Sequence, residues 1–287
     1  MIHFLTVNYY SKELIKKLVL SINNSLKSAY QITIVNNSPQ EELSNHDFFP
    51  SEMIYIIQSP QNLGFGAGCN LGIKYIYSVN NKALIWLINP DTTIDKEADI
   101  YIKKCFDTEP NLAILGTKIR DIKGNLWFGQ GLFDPFWGTI KHEAKLSNTI
   151  NSQNGITSSR WVSGCSMIIN LAKFDHCPSF NTRYFLYHED VDFCEKYYKE
   201  NYQIAVTNHI LVTHVVSAII GKDKKNMFKN FTFSRLVFLE LYGSKLSFLI
   251  YMFYVILFKI TVLMIFDTSN AIGRWQGIKK YFTNSHP

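Results

Sequence analysis

Short apolar runs ending in Asn or Asp alternate with helix-patterned segments through the first part of the chain. No other feature limits its fold as strongly. His3 to Asn8 reads as a buried strand. Ser11 can cap the next segment, where Leu14, Ile15, Leu18, Val19 and Ile22 recur at helical spacing. Gln31 to Val35 is a second strand, stopped by Asn36-Asn37-Ser38-Pro39, and Ile54 to Gln58 is a third. Gly64 to Gly68 reads as a glycine-rich turn and Asn70 to Val79 as a helix. Ala83 to Ile88 is a strongly apolar strand that ends at Asn89-Pro90-Asp91. This order is that of an α/β protein with a mainly parallel central sheet covered by helices on both faces. Such sheets bind ligands beyond the carboxyl ends of their strands. Those ends carry Asn8, Asn36-Asn37 and Asn89 to Asp91.

The later segments are less regular. Gly116 to Ile140 suits hairpins, and Asn148 to Ser159 suits a polar loop. Trp161 to Ile169 reads as a strand interrupted at Ser163-Gly164, and Asp190 to Glu200 as a helix. Ile204 to Thr207 and Ile210 to Val215 read as two short strands. Leu246 to Phe266 is apolar except for Ser247, Lys259 and Thr261, long enough to cross a bilayer. Lys259 opposes a span, and a helix lying in the membrane interface is favoured over both a span and a buried core helix. Lys222, Lys224, Lys225, Lys229, Arg235, Lys245, Arg274, Lys279 and Lys280 bracket this stretch, which suits an anionic membrane surface or a solvated basic face. The expected organisation is a catalytic unit over 1–235 and a helical, membrane-associated segment over 236–287.

Composition narrows the function. A net charge of +6 over 287 residues, without a basic stripe interleaved with aromatics, argues against a nucleic-acid partner. Five cysteines with no Cys-x-x-Cys indicate neither a disulfide framework nor a zinc knuckle, and reduced thiols suit the cytoplasm. The N-terminus lacks a basic region followed by a long apolar core and reads as a strand, not a signal peptide.

Tyr187-His188-Glu189-Asp190-Val191-Asp192 is the richest chemical segment. Three carboxylates within four positions at a helix start can supply a general base, although an acidic first turn has the same composition. Asp91 follows a buried strand, where an acid can hold a hard cation on phosphate oxygens; Asn-Pro-Asp is also good turn chemistry. Gly64-x-Gly66-x-Gly68 lacks the dinucleotide-binding spacing, which disfavours a Rossmann dehydrogenase. His209 and His214, near a strand, are candidate ligands with an equally ordinary structural reading.

As an ordered set, these segments resemble the family-2 glycosyltransferases with the GT-A fold, and among them the rhamnosyltransferase-like enzymes of bacterial surface polysaccharides such as O-antigen and capsule. The resemblance runs from the first strand to about Arg235. It rests on Thr6-Val7-Asn8-Tyr9-Tyr10-Ser11, Ile34-Val35-Asn36-Asn37-Ser38, Asn62-Leu63-Gly64-Phe65 through Asn70-Leu71-Gly72-Ile73, and Leu87-Ile88-Asn89-Pro90-Asp91. Val162 to Met167 and Phe185 to Cys194 complete it. The resemblance implies an inverting transferase that moves a sugar, with L-rhamnose from dTDP-rhamnose the first choice, onto a glycan or lipid-linked acceptor. Galactofuranose, glucose or an N-acetyl sugar is the alternative, as is an inactive binding protein of the same fold.

It further implies Asp190 as base, with Glu189 and Asp192 supporting it or positioning the acceptor. Thr6, Asn8, Tyr9, Asn36, Asn37, Asn62, Gly64, Phe65, Asn70, Asn89 and Asp91 would form the donor site. Asp91 and His214 would hold Mg²⁺ or Mn²⁺. The place of action would be the inner face of the plasma membrane, reached from the cytoplasm, with homo-oligomerisation left open. Four positions depart from the family pattern: Asn36 and Asn89 replace acids, and Lys196 and Asn201 stand where Arg and Gly are common. A nucleotidyltransferase is the rival enzyme class, but Thr6 to Lys12 is not the basic, glycine-rich loop it needs.

Overall fold

The computed structural model describes residues 1–143, 155–215 and 223–284. It therefore leaves outside the described residues Lys222 and most of the polar loop expected over 148–159. The chain opens with β1 (Ile2–Asn8), α1 (Lys12–Ser25), β2 (Tyr30–Asn36), β3 (Ile54–Gln58), α2 (Phe65–Val79) and β4 (Leu84–Ile88). β1 pairs in parallel with both β2 and β4, and β2 with β3. All seven positions of β1 are buried, as a central strand between two helical layers requires. Trp86 of β4 stacks on Phe4 of β1 at 5.1 Å, and its ring N–H donates to Ser166 Oγ at 2.9 Å. The largest core side chain thus keeps its one polar atom satisfied.

Beyond β4 the sheet becomes mixed. The next elements are β5 (Thr92–Ile94), α3 (Ala98–Thr108), β6 (Leu112–Asp121), β7 (Leu126–Phe128), β8 (Gln130–Asp134) and β9 (Thr139–Glu143). They are followed by β10 (Ile156–Ser158), β11 (Ser166–Asn170), α4 (Glu189–Lys199) and β12 (Gln203–His214). The strand order is β10-β12-β6-β11-β4-β1-β2-β3, with β5 added to β12 and β7 to β6. β11 runs antiparallel to β4 and β6, while β12 runs parallel to β6. Hairpins form in the glycine- and aromatic-rich region: β6 pairs with β7, and β8 with β9.

Three local readings change. The glycines of 64–68 do not form a separate turn: only Gly64 is left-handed, with φ +83°, and the helix begins at Phe65. Residues 161–165 are not strand, because the chain turns through Ser163-Gly164 before β11 begins. The two short strands expected over 204–215 are one strand, β12, bulged between Val206 and Ile210. The bulge hides the alternation that would have joined them.

The chain ends in α5 (Lys224–Tyr242), α6 (Lys245–Phe253), a π-helical stretch Tyr254–Ile260, α7 (Thr261–Phe266) and α8 (Thr268–Asn284). α5 runs through position 235/236 without a break and packs along α8. Gly273 and Gly277 of α8 face the Lys225 and Lys229 carbonyls so closely that an added Cβ would lie 2.4 and 2.6 Å from them. The 22 residues from Lys245 to Phe266 are helical throughout, and only 6% of their most apolar part is buried. The stretch is therefore not a core helix.

Candidate active site

The carboxyl ends of β1 and β2 form one corner. Asn8, fully buried, donates to Asn36 Oδ1 at 2.9 Å and to Glu41 Oε2 at 2.6 Å, and accepts from the Ser11 amide and hydroxyl. Asn36 donates to the Glu41 carbonyl and to Gln58 Oε1, and its own oxygen also accepts from the Ser38 amide. A carboxylate could not make the two donations, so Asn at position 36 is dictated by this network. The acid at this corner is instead Glu41. Sequence reading missed it because it lies in the polar run after Pro39, with no strand or motif to mark it. Tyr9 and Tyr10 stand exposed beside the corner, edge to face at 5.0 Å, with Tyr10 at φ +50°. Thr6 is fully buried within β1, below the corner and away from its surface.

Asn37 continues the network. It donates to Asn62 Oδ1 and to the Gly64 carbonyl, both at 3.0 Å, and accepts from the Leu63 amide. Gly64 fits against Phe185, whose carbonyl accepts from the Phe65 amide at 3.1 Å; a Cβ at Gly64 would lie 2.1 Å from that oxygen. Asn70 bonds the Phe180 backbone through both its amide groups, at 2.9 and 2.7 Å. Asn37, Asn62, Gly64 and Asn70 therefore brace the start of α2 against the chain leading into α4.

The second corner follows β4. Asp91 lies in the turn into β5, a three-residue strand too short for its pattern to show in sequence. β5 pairs antiparallel with the end of β12, Thr92 opposite His214. That pairing brings His214 Nε2 to 3.2 Å from Asp91 Oδ2, both side chains being largely buried. Trp127 lies edge to face on the His214 ring at 4.6 Å, and His214 Nδ1 is buried without a hydrogen-bond partner. Asn89 donates its amide to the Cys165 carbonyl at 3.0 Å, and its partly exposed side chain makes no hydrogen bond among the described residues. His209 is separate from this corner: it packs on Tyr101 at 4.7 Å in the β12 bulge.

The third corner is the start of α4. Tyr187 and His188 both adopt left-handed conformations, φ +73° and +65°. Consecutive strained residues of this kind are held only by tight surroundings and concentrate at functional sites. Here Phe231 of α5 packs on both rings, and Ser234 donates to the Leu186 carbonyl at 2.9 Å. The three acids then diverge. Glu189 is buried, with Oε2 unpartnered. Asp192 is buried and accepts from Asn181 at 3.5 Å. Asp190 alone is partly exposed. It accepts from the Gly164 amide at 2.9 Å and the Val191 amide at 2.8 Å.

Burial raises the Glu189 carboxyl, and the neighbouring Asp190 charge adds to the effect. Burial also raises Asp190 above the ordinary carboxylate range, against the hydrogen bonds from Gly164 and Val191. The same cause pushes Asp192 up to about 6. Asn201, where glycine was expected, adopts φ +66°, a conformation asparagine tolerates better than most residues. Lys196 lies over the Tyr197 ring at 4.8 Å. A further ion pair escaped sequence reading: Arg160 grips the buried Glu195 with two bonds of 2.7 and 2.6 Å, fixing the inner face of α4.

The turn at Ser163 to Cys165 joins the second and third corners. Its Gly164 amide holds Asp190 and its Cys165 carbonyl holds Asn89. The buried Cys165 thiol is pushed up by burial, and the charges of Asp91 and Asp190 add to the effect. A Cβ at Gly164 would press on Phe65 at 3.2 Å and Asp190 at 3.3 Å. Among the described residues no group of three His, Cys, Asp or Glu side chains could enclose a metal. The Asp91–His214 pair, with an oxygen and a nitrogen donor at one buried edge, nevertheless suits a divalent cation whose remaining ligands come from phosphate oxygens and water.

Comparison with known proteins agrees with this architecture. No family model matches the chain. It is similar to the low-salt glycan biosynthesis hexosyltransferase Agl10 of Haloferax volcanii, 26% identical over 205 residues. That alignment covers 69% of this chain and 62% of the relative, so the chain spans under two thirds of the relative's length. Among solved structures, GalNAc-T7 with UDP, GalNAc and Mn²⁺ superposes with a TM-score of 0.64 at 10% identity, over 84% of this chain and 47% of that one. S. aureus TarS 1-349 in complex with UDP-GlcNAc superposes with a TM-score of 0.55 at 14% identity, over 98% and 89%. These likenesses, with the strand order above, give the chain the GT-A glycosyltransferase fold.

Proposed function

We propose that this protein is a metal-dependent, inverting glycosyltransferase that takes a sugar from a nucleoside diphosphate donor. The observation that carries the reading is the joining of two carboxylate sites through one turn: Cys165 accepts from Asn89, two residues before the Asp91 that pairs with His214, and Gly164 donates to Asp190. The similarity to a hexosyltransferase and to folds solved with UDP, UDP-GlcNAc and Mn²⁺ supports the reaction class.

In this reading Tyr9 and the Asn8–Asn36–Glu41 corner receive the base, with Glu41 as the acidic acceptor that position 36 does not supply. Asn37, Asn62, Gly64 and Asn70 shape the wall behind Phe65. Asp91 and His214, with Asn89 next to Asp91 in the chain, would hold Mg²⁺ or Mn²⁺. The cation's chemistry is to neutralise charge developing on the leaving group. Asp190 removes the acceptor hydroxyl proton, and the acceptor oxygen attacks the anomeric carbon from the face opposite the departing diphosphate. A single displacement inverts that carbon. The raised affinity of Asp190 for a proton suits a base, since a carboxylate of ordinary strength is a weak proton acceptor. Glu189 and Asp192, both buried, would support the base or help to position the acceptor.

The donor we favour is dTDP-rhamnose, and the acceptor a glycan or lipid-linked saccharide at the inner face of the plasma membrane. α5 supports this location, since it touches the Tyr187-His188 turn on one side and the exposed apolar helix region on the other. The transferase unit is 1–235 and the membrane attachment 236–287, the unbroken α5 being shared between them. Incubation with a panel of nucleoside diphosphate sugars and Mn²⁺, following nucleoside diphosphate release, tests the reading. Release from dTDP-rhamnose above the other donors supports the transferase reading and the choice of donor, and release from none of them overturns both. Release from a different donor overturns the choice of sugar alone.

A further inference from the structure

The turn between β8 and β9 ends in two exposed aromatic side chains. Phe136 and Trp137 are 56% and 57% exposed and meet edge to face at 5.0 Å. Such a pair at a loop tip loses the burial that large rings ordinarily gain in a folded protein. The turn is nevertheless firmly built. Asp134 Oδ1 accepts from the Phe136 and Trp137 amides at 2.9 and 3.1 Å. Ser244, the residue before α6, donates its amide to the Pro135 carbonyl at 2.8 Å and its hydroxyl to the Phe136 carbonyl at 2.7 Å. Arg235 donates to the Gly138 carbonyl. Gly138 itself lies against Ser247 and Leu239. The aromatic tip is thus fastened to the point where the apolar helix begins.

That helix has a defined placement. α6 packs on α5, and the π-helical stretch and α7 pack on α8. Phe248 meets Tyr281 at 5.7 Å, Arg235 lies over the Tyr251 ring at 5.8 Å, and Lys224 pairs with Asp267 at the far end at 3.7 Å. The helix is therefore backed along its length by α5 and α8. Those helices carry Lys225, Lys229, Arg274, Lys279 and Lys280. A transmembrane placement would drag these cations into hydrocarbon, which is costly. Lying flat leaves Leu249, Phe253, Leu257, Phe258, Ile265 and Phe266 outward, with cations at the margins to meet anionic headgroups.

We infer that the Phe136-Trp137 turn is a second membrane contact, inserting at the interface beside the first turn of the flat-lying apolar helix. Two contacts joined rigidly at Ser244 fix the tilt of the catalytic domain on the membrane, which one helix free to roll about its axis would not do. Trp at such a tip suits the headgroup region, where its ring is buried and its N–H stays hydrated. The inference rests on the membrane location proposed above.

The test is flotation of the full chain with vesicles of phosphatidylglycerol and phosphatidylcholine. Three proteins are compared: wild type, Phe136→Ser/Trp137→Ser, and Leu257→Asp/Phe258→Asp in the helix. Sedimentation without lipid runs in parallel. Both changes lie at exposed positions, and nucleoside diphosphate binding checks that the fold survives. The hairpin variant is expected to bind vesicles roughly tenfold or more weakly, from the area two large rings bury. Tryptophan emission is expected to shift further to the blue with vesicles in the wild type than in the hairpin variant, which keeps the exposed Trp275 but lacks Trp137. Equal vesicle binding by the hairpin variant, with loss only in the helix variant, overturns the inference and leaves the membrane location standing. No binding by wild type removes both. A lipid-free dimer that the hairpin variant dissociates identifies the patch as a contact between copies and overturns the inference.

Discussion

Single side chains divide the labour among three neighbouring acids. Glu189, Asp190 and Asp192 sit within four positions, and composition alone does not separate their roles. The structure separates their surroundings, two sealed and one reaching solvent, and we propose the last, Asp190, as the base. Asp190→Asn is expected to lower kcat by about 10² to 10⁴ while nucleoside diphosphate affinity stays within a factor of two or so, since loss of a base acts on the chemical step. Near-normal turnover would assign the base elsewhere. The pH profile carries a related expectation. Burial raises Asp190, and a base works only when deprotonated. The kcat/KM should therefore rise with pH through an apparent pKa above the ordinary carboxylate value of 3.8, and fall off below it. A profile already flat at pH 4 would contradict this. Asp91→Ala is expected to abolish the gain in nucleoside diphosphate affinity that Mn²⁺ gives the wild type, measured by calorimetry with and without the ion. Equal gains in both proteins would remove Asp91 from the cation site.

At the scale of elements, the first half of the sheet was legible and the second was not, for physical reasons. β1, β2, β3 and β4 are continuous apolar runs because both faces of a central parallel strand are covered. Their polar ends mark the edge at which we place the donor. β5 is too short to carry a period, and the bulge in β12 breaks one, yet their pairing is what joins Asp91 to His214. Proximity created by strand pairing leaves little trace in either strand's own sequence. The glycines of α2 misled for the opposite reason: Gly66 and Gly68 are small because Phe180 and Val7 press on them, and only Gly64 is needed for its backbone angle. Gly64→Ala combines a left-handed backbone with a Cβ 2.1 Å from the Phe185 carbonyl, so it must displace the chain leading into α4. A loss of about 2 kcal/mol or more is expected, read as a lower midpoint in urea with the slope unchanged. Gly124→Ala is the comparison: it has φ +86° but open space around it, so it pays only the backbone cost of about 1 kcal/mol.

Across the whole molecule, the proposed catalytic site and the exposed apolar helices meet on one helix. α5 braces the strained turn that starts α4 and backs the helices that face outward. Length and hydropathy showed the Leu246 to Phe266 stretch in the sequence, and Lys259 pointed to an interface. Exposure along the stretch now excludes a core helix. Attachment should be part apolar and part electrostatic. Affinity for vesicles should rise with phosphatidylglycerol content, by about 1 kcal/mol for each lysine that reaches the headgroups, and weaken with salt without vanishing. Complete release by salt would leave the apolar helix no part in binding.

The central claim is that Asp91, beyond the end of β4, and Asp190, at the start of α4, serve the transfer of a sugar from a nucleotide. The most direct measurement gives the full chain dTDP-rhamnose with Mn²⁺ and follows nucleoside diphosphate release and the anomeric configuration of the product by NMR, in wild type and in Asp190→Asn. Metal-dependent release with an inverted anomeric centre, lost in the variant, is the predicted result. Retained configuration, or release that neither Mn²⁺ nor Asp190 influences, would contradict it.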